Sequence, residues 1–146
     1  MVGPGGQYGH APPPEVGSGL INAIQFDANG LVPAVVQQID SGHVLMLGWI
    51  NRAAIARTLA TGNAHYWSRS RGFQWMKGEH SGFTQQVVEI RLDCDGDALL
   101  LLVRQKGVAC HSGTMSCWHF TVRDGNLAVL SKPEVDPALM EHESSH

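Results

Sequence analysis

The chain has 146 residues, the size of one domain with an ordinary core. Its hydrophobic content of 43% fits a globular fold, and a net charge of −3 gives no global attraction to nucleic acid or anionic membranes. The longest apolar run, Ala98 to Val103, is six residues, far short of a membrane span.

Residues 1–19 hold ten Gly or Pro and no Lys or Arg. They carry no apolar block, so no secretory signal is read and a cytoplasmic location is expected. With no periodic face to bury, they are expected to form a disordered tail. "PAVVQQID" and "HVLMLGWI" read as two strands around a Ser41-Gly42 turn. Asn51 is placed to cap a helix from Arg52 to about Thr61, closed by Gly62, with Ile55 and Leu59 toward the core. "AHYWSRS" returns to strand. In "QQVVEIRLD", alternation puts Val88, Ile90 and Leu92 on one face and Glu89 and Arg91 on the other. Asp95-Gly96 signals a hairpin into "ALLLLVRQ", and Asp124-Gly125 signals another between "WHFTVR" and "NLAVL". One main helix amid seven or so strands predicts a β-rich α+β fold, a compact sheet-based single domain over residues 20–132. Residues 133–146 read as a polar C-terminal tail.

The stretch "LDCDGDALLLLV" sets Asp93, Asp95 and Asp97 around Cys94. Strand parity carries Cys94 onto the apolar face and Asp93 onto the other. Such a division suits two metals, a borderline ion on sulfur and a hard ion on oxygen. Spacing leaves a second reading open, a hydrated Asp-rich turn without an ion; the pattern is not an EF-hand. The only other cysteines are Cys110 and Cys117. An odd count fits free thiols or metal ligands better than a disulfide framework, and the lack of any C-x-x-C disfavours a zinc ribbon. Three thiolates leave a fourth position free, as catalytic zinc requires, unless His111 or His119 fills it.

"YWSRSRGFQWMKGEHSG" gathers Arg69, Arg71 and Lys77 with Ser68, Ser70 and Ser81 and three glycines. Guanidinium forks, hydroxyls and exposed amides make an anion cradle. The aromatics Trp67 and Trp75 read as core. Eight of the ten Lys and Arg fall between residues 52 and 106, which weakens the reading of the arginines as a solvated strand edge.

Taken in order, "HYWSRSRG", "WMKGEHSG", "VVEIRLDCDGDALLLLV" and "ACHSGTMSCW" resemble the phosphoribosyl-AMP cyclohydrolase family over roughly residues 20–122. The departures are small: Phe83 stands where a polar residue is more usual, Ser112 replaces a common Thr, and "GWIN" varies the "AYMN" type. The resemblance implies an intertwined, β-rich homodimer. It implies zinc on Cys94, Cys110 and Cys117 across the subunit interface, magnesium on Asp93, Asp95 and Asp97, and a catalytic role for His111. Ser68, Arg69, Ser70, Arg71 and Lys77 would then contact the substrate, phosphoribosyl-AMP.

The chemistry implied is ring opening. A phosphoribosyl group on N1 of adenine makes C6 electrophilic, and zinc lowers the pKa of bound water toward roughly 7. Attack at C6 followed by cleavage of C6–N1 opens the ring, the third step of histidine biosynthesis. A base deaminase would instead show H-x-E or C-x-E before P-C-x-x-C, and neither is present. The non-enzymatic alternative is a zinc-stabilised nucleotide-binding module, which leaves the aspartates unexplained. No nucleic-acid or membrane partner is expected.

Overall fold

The computed structural model describes residues 13–15, 17, 19–130 and 132–140, so the tail expected over residues 1–19 lies mostly outside the described residues. A single helical turn, α1 (Leu20–Ala23), opens the domain. Strands β1 (Leu31–Gln38) and β2 (Val44–Asn51) form the first hairpin. Helix α2 (Arg52–Thr61) follows directly. The Asn51 side chain accepts the Ala54 N–H at 2.8 Å, satisfying one of the unpaired amides of the first turn. Gly62 closes the helix at φ +78°, a left-handed conformation that costs glycine little.

The helix buries Ala54, Ile55 and Thr58. The expectation that Leu59 also faces the core is corrected: it is 51% exposed. Thr58 takes the inward position because its hydroxyl joins two elements. It donates to Ala54 O at 2.9 Å and accepts the His65 N–H at 2.9 Å, tying the helix to β3 (His65–Ser68).

Strand β3 pairs antiparallel with β4 (Phe73–Met76), and their ribbon lies over the main sheet. That sheet has the order β2-β1-β6-β5, with β5 (Gln85–Leu92) and β6 (Leu99–Gln105) forming the second hairpin. The contact between β1 and β6 is parallel. Val32, Ala34, Val36, Met46, Ile50, Leu99, Leu101 and Val103 line the core face, on which Tyr66 and Trp75 pack. Gly48, first residue of the "GWIN" variation, makes room for this: a Cβ there would stand 2.6 Å from the Tyr66 ring.

The alternation read along β5 is corrected by a β-bulge. Val87 pairs with Val103 and Glu89 with Leu102, so Val88 has no partner and is 44% exposed. The extra residue resets the parity. Val87, Ile90 and Leu92 are the side chains that pack against the core.

A further hairpin, β7 (Phe120–Arg123) and β8 (Asn126–Val129), turns through Asp124 (φ +52°) and Gly125 (φ +78°). Positive φ at both turn residues matches the strand twist, as Asp-Gly favours. The beginning of the C-terminal segment lies against the fold. Glu134 and Val135 donate their N–H groups to Gly113 O at 2.8 and 3.1 Å, and Met140, ending a 3-10 turn (Pro137–Met140), is buried. Among the described residues no helix is long and apolar enough to cross a membrane.

Candidate metal centre

The chain leaving β6 is pinned by buried polar side chains before it reaches Cys110. Tyr66 donates to Gln85 Oε1 at 2.5 Å, and Gln85 Nε2 donates to Gln105 Oε1 at 2.8 Å. Gln105 Nε2 reaches Phe83 O at 3.0 Å and Lys106 O at 2.8 Å. Each member is paired, so the network fixes the loop rather than penalising the core. Phe83, the departure noted above, lies over the same loop: a Cβ on Gly107 would stand 2.6 Å from its ring.

Lys77 adds a further tether. It is not in an exposed anion cradle with the arginines; it is 1% exposed and its ammonium donates to Ala109 O. The loop then folds on itself, with Ala109 N–H to Met115 O at 3.1 Å, Cys110 N–H to Thr114 O at 3.2 Å and Gly113 N–H to Cys110 O at 2.9 Å. Beyond it, Cys117 N–H donates to Leu45 O at 2.7 Å and Ser116 Oγ to Val44 O at 2.8 Å. The result brings two thiols together, Cys110 buried and Cys117 half-buried.

The two sulfurs act on each other's acidity. The hydrogen bond from Cys117 is the largest influence on Cys110 and holds it well below the ordinary thiol range; burial opposes, and Ser112 and Thr114 assist. Cys117 is pushed up, first by that same bond, then by burial and the charge on Cys110, with Lys77 acting in the opposite direction. Two neighbouring cysteine sulfurs with the Lys77 ammonium close by are a soft donor pair of the kind zinc takes.

Cys94 is elsewhere. Strand β5 ends at Leu92, and Cys94 stands exposed in the turn to β6. The parity argument that sent it to the apolar face is therefore corrected, because alternation stops where the turn begins. Among the described residues no group of three or more His, Cys, Asp or Glu converges to hold a metal.

The aspartate turn has its own order. Asp93 Oδ1 accepts the N–H groups of Asp97 at 2.9 Å and Ala98 at 3.3 Å. Gly96, at φ +76°, presents its carbonyl to Gln25 N–H at 2.7 Å. For Asp93, desolvation acts upward but is outweighed by hydrogen bonds from the Asp97 side chain and the turn amides, which lower it. Asp97 is raised, first by the bond to Asp93, then by slight desolvation and the neighbouring Asp93 and Asp95 charges. Crowded carboxyls that shift each other's acidity in this way are an arrangement a hard cation would relieve.

Among the residues read as an anion cradle, Arg69, Ser70 and Arg71 sit together, exposed, on the turn after β3. Arg69 stacks over Trp49 at 4.3 Å. Ser68 is buried and accepts the Arg71 N–H at 3.2 Å. His111 is exposed beside Cys110. His119, weighed as a fourth ligand, instead meets two hydroxyls through Nε2: Ser112 at 3.1 Å and Thr114 at 2.8 Å. That cluster was missed in the sequence, although the hydroxyls of "CHSGTMSC" crowding two cysteines were its signal.

Comparison with known proteins gives a consistent set of relatives. The family model for phosphoribosyl-AMP cyclohydrolase matches residues 46–119. A phosphoribosyl-AMP cyclohydrolase of Rhodospirillum centenum is 59% identical over 116 residues, covering 80% of this chain and 87% of the relative. One from Rhodospirillum rubrum is 54% identical over 125 residues, covering 85% and 87%. Phosphoribosyl-AMP cyclohydrolase 2 of Pseudomonas fluorescens is 53% identical over 117 residues, covering 80% of each chain.

Proposed function

The chain belongs to the phosphoribosyl-AMP cyclohydrolase family, and we propose that it opens the adenine ring of phosphoribosyl-AMP, in histidine biosynthesis, as a homodimer. In this reading Cys110 and Cys117 of one subunit hold zinc together with Cys94 of the other, and Asp93, Asp95 and Asp97 hold magnesium. The observation that carries it is the pairing of Cys110 with Cys117 inside one chain while Cys94 stands exposed on a separate turn. A second subunit is the simplest source of the third sulfur.

Exposed apolar side chains support a second copy. Phe120, Val122, Leu127 and Val129 on the β7–β8 hairpin are 61 to 75% exposed, and Trp118 and Leu130 beside them are 49% and 55% exposed. A surface of this kind marks an interaction site.

When bound, zinc supplies the Lewis acidity that brings a water's pKa to about 7. This chain's residues supply the rest. His111, adjacent to a ligand and open to solvent, is placed to take a proton from the water that adds at C6 and to return it to N1 as the C6–N1 bond breaks. Arg69, with its Cζ over the Trp49 ring, and Arg71 offer forks to the phosphates. Asp93, Asp95 and Asp97 would hold the magnesium, which would supply positive charge to phosphate oxygens that the arginines do not reach.

The test follows ring opening of phosphoribosyl-AMP by ultraviolet absorbance, with and without a chelator. Turnover lost to the chelator and restored by zinc supports the reading. Stoichiometric zinc without ring opening would favour a zinc-stabilised nucleotide-binding module instead.

A further inference from the structure

The protons around the Cys110 sulfur can be assigned one by one. Thr114 Oγ1 donates to Ser116 O at 2.7 Å, which uses its only proton. Toward His119 Nε2, 2.8 Å away, the Thr114 oxygen must therefore accept, and His119 must carry its proton on Nε2. Ser112 Oγ, 3.1 Å from the same nitrogen, can then only present a lone pair to it. Two acceptors remain for the Ser112 proton, each at 3.1 Å: Thr114 Oγ1 and Cys110 Sγ. Thr114 Oγ1 is already engaged by Ser116 O and His119 Nε2, so the Ser112 proton goes to Cys110 Sγ.

We propose that His119 is a positioning residue for the thiolate centre: its Nε2–H fixes the Ser112 and Thr114 hydroxyls, so that Ser112 points its proton at Cys110 Sγ. A thiolate that accepts such a bond donates less charge to a metal, which leaves the metal a stronger Lewis acid. The consequence for the metal rests on the zinc reading above; the proton assignment does not. His119 acts through Ser112.

The test uses the full chain loaded with cobalt in place of zinc, and reads the sulfur-to-cobalt charge-transfer absorption. Loss of the Ser112 bond makes Cys110 a stronger donor and moves the band to longer wavelength. Ser112→Ala and His119→Phe are expected to do this. His119→Gln, whose amide N–H reaches the place of Nε2–H, is expected to return the band to its wild-type position. Bands at one wavelength in all four proteins would overturn the proposal, as would a His119→Gln band displaced as far as that of His119→Phe. If the wild type gives no charge-transfer band, the metal reading fails by itself. The proposal is then decided on metal-free protein by long-range proton–nitrogen correlation at His119. A proton on Nε2 supports it, and a proton on Nδ1 overturns it.

Discussion

The ammonium of Lys77 donates to the carbonyl of Ala109, the residue immediately before Cys110. A cation only 1% exposed is costly unless it is paired. Here it has a backbone oxygen, the face of Trp75 with its centroid 5.6 Å away, and the nearby Cys117. Lys77→Met keeps the aliphatic stem but leaves Ala109 O without its donor, which should cost about 1–3 kcal/mol. Urea unfolding should show a lower midpoint, and zinc affinity should fall with it. A variant that binds zinc normally but needs more substrate would return Lys77 to the phosphate cradle.

Tyr66 gives a prediction in pH. Burial first, and the charge of Cys117 second, push its phenol far above the ordinary value. An unfolded tyrosine ionises near pH 10, whereas the folded one keeps its proton, so above that pH the unfolded state binds fewer protons. Stability should then fall with rising pH, by about 1.4 kcal/mol per unit for this one group, and be unaffected by it at lower pH. Tyr66→Phe loses the bond to Gln85 and should be less stable at neutral pH by about 1 kcal/mol. Its alkaline decline should be shallower than that of the wild type. Parallel declines between pH 9.5 and 11, a window set by the ~10 reference value, would show that Tyr66 ionises in the folded chain.

What the sequence disclosed was mostly local. Asn51 and Gly62 bound their helix by contacts within four residues, and Asp124-Gly125 carries its turn in its own backbone preferences. What it concealed depended on partners distant along the chain. The bulge at Val88 exists only in register with β6, and the parallel contact of β1 with β6 closes over more than sixty intervening residues. The inward turn of Thr58 depends on an amide seven residues away. In the site, residue types were legible: thiols, carboxylates and arginines all stand where motif reading drew attention. Their depth was not. Lys77 lies in a basic, glycine-rich stretch that reads as surface, yet it is buried beneath the Cys110 loop.

Gly113 links that loop to the C-terminal segment. Its φ is +87°, and an added Cβ would overlap the Val135 carbonyl oxygen. Gly113→Ala should therefore cost more than about 1 kcal/mol and displace residues 133–140. Hydrogen exchange at the Glu134 and Val135 amides, both bonded to Gly113 O, should accelerate. Unchanged protection there would mean that the segment is held by other contacts.

The aspartates can be separated from the thiols by one substitution. Asp93 is the acceptor that shapes its turn, so changing it disturbs the backbone as well as the charge. Asp95→Asn removes a charge while leaving those bonds in place. Zinc content should stay at the wild-type level while turnover and its dependence on magnesium decline. Loss of zinc with an intact magnesium response would mean that the two metal assignments are interchanged.

The shared zinc site makes the strongest demand on the dimer. If Cys94 of one subunit joins Cys110 and Cys117 of the other, two inactive chains can complement each other. In a mixed dimer of Cys94→Ala and Cys110→Ala subunits, both lesions fall on the same site, and the other site keeps all three thiolates. Random reassociation after denaturation makes about half the dimers mixed, each with one good site, so activity should recover to about a quarter of wild type. A site built within one chain predicts no recovery, because every chain remains defective. The exposed position of Cys94, apart from the buried Cys110, is what separates the two outcomes. Native mass spectrometry confirms that mixed dimers have formed. Activity that then stays at the level of the separate variants would exclude a zinc site assembled between subunits.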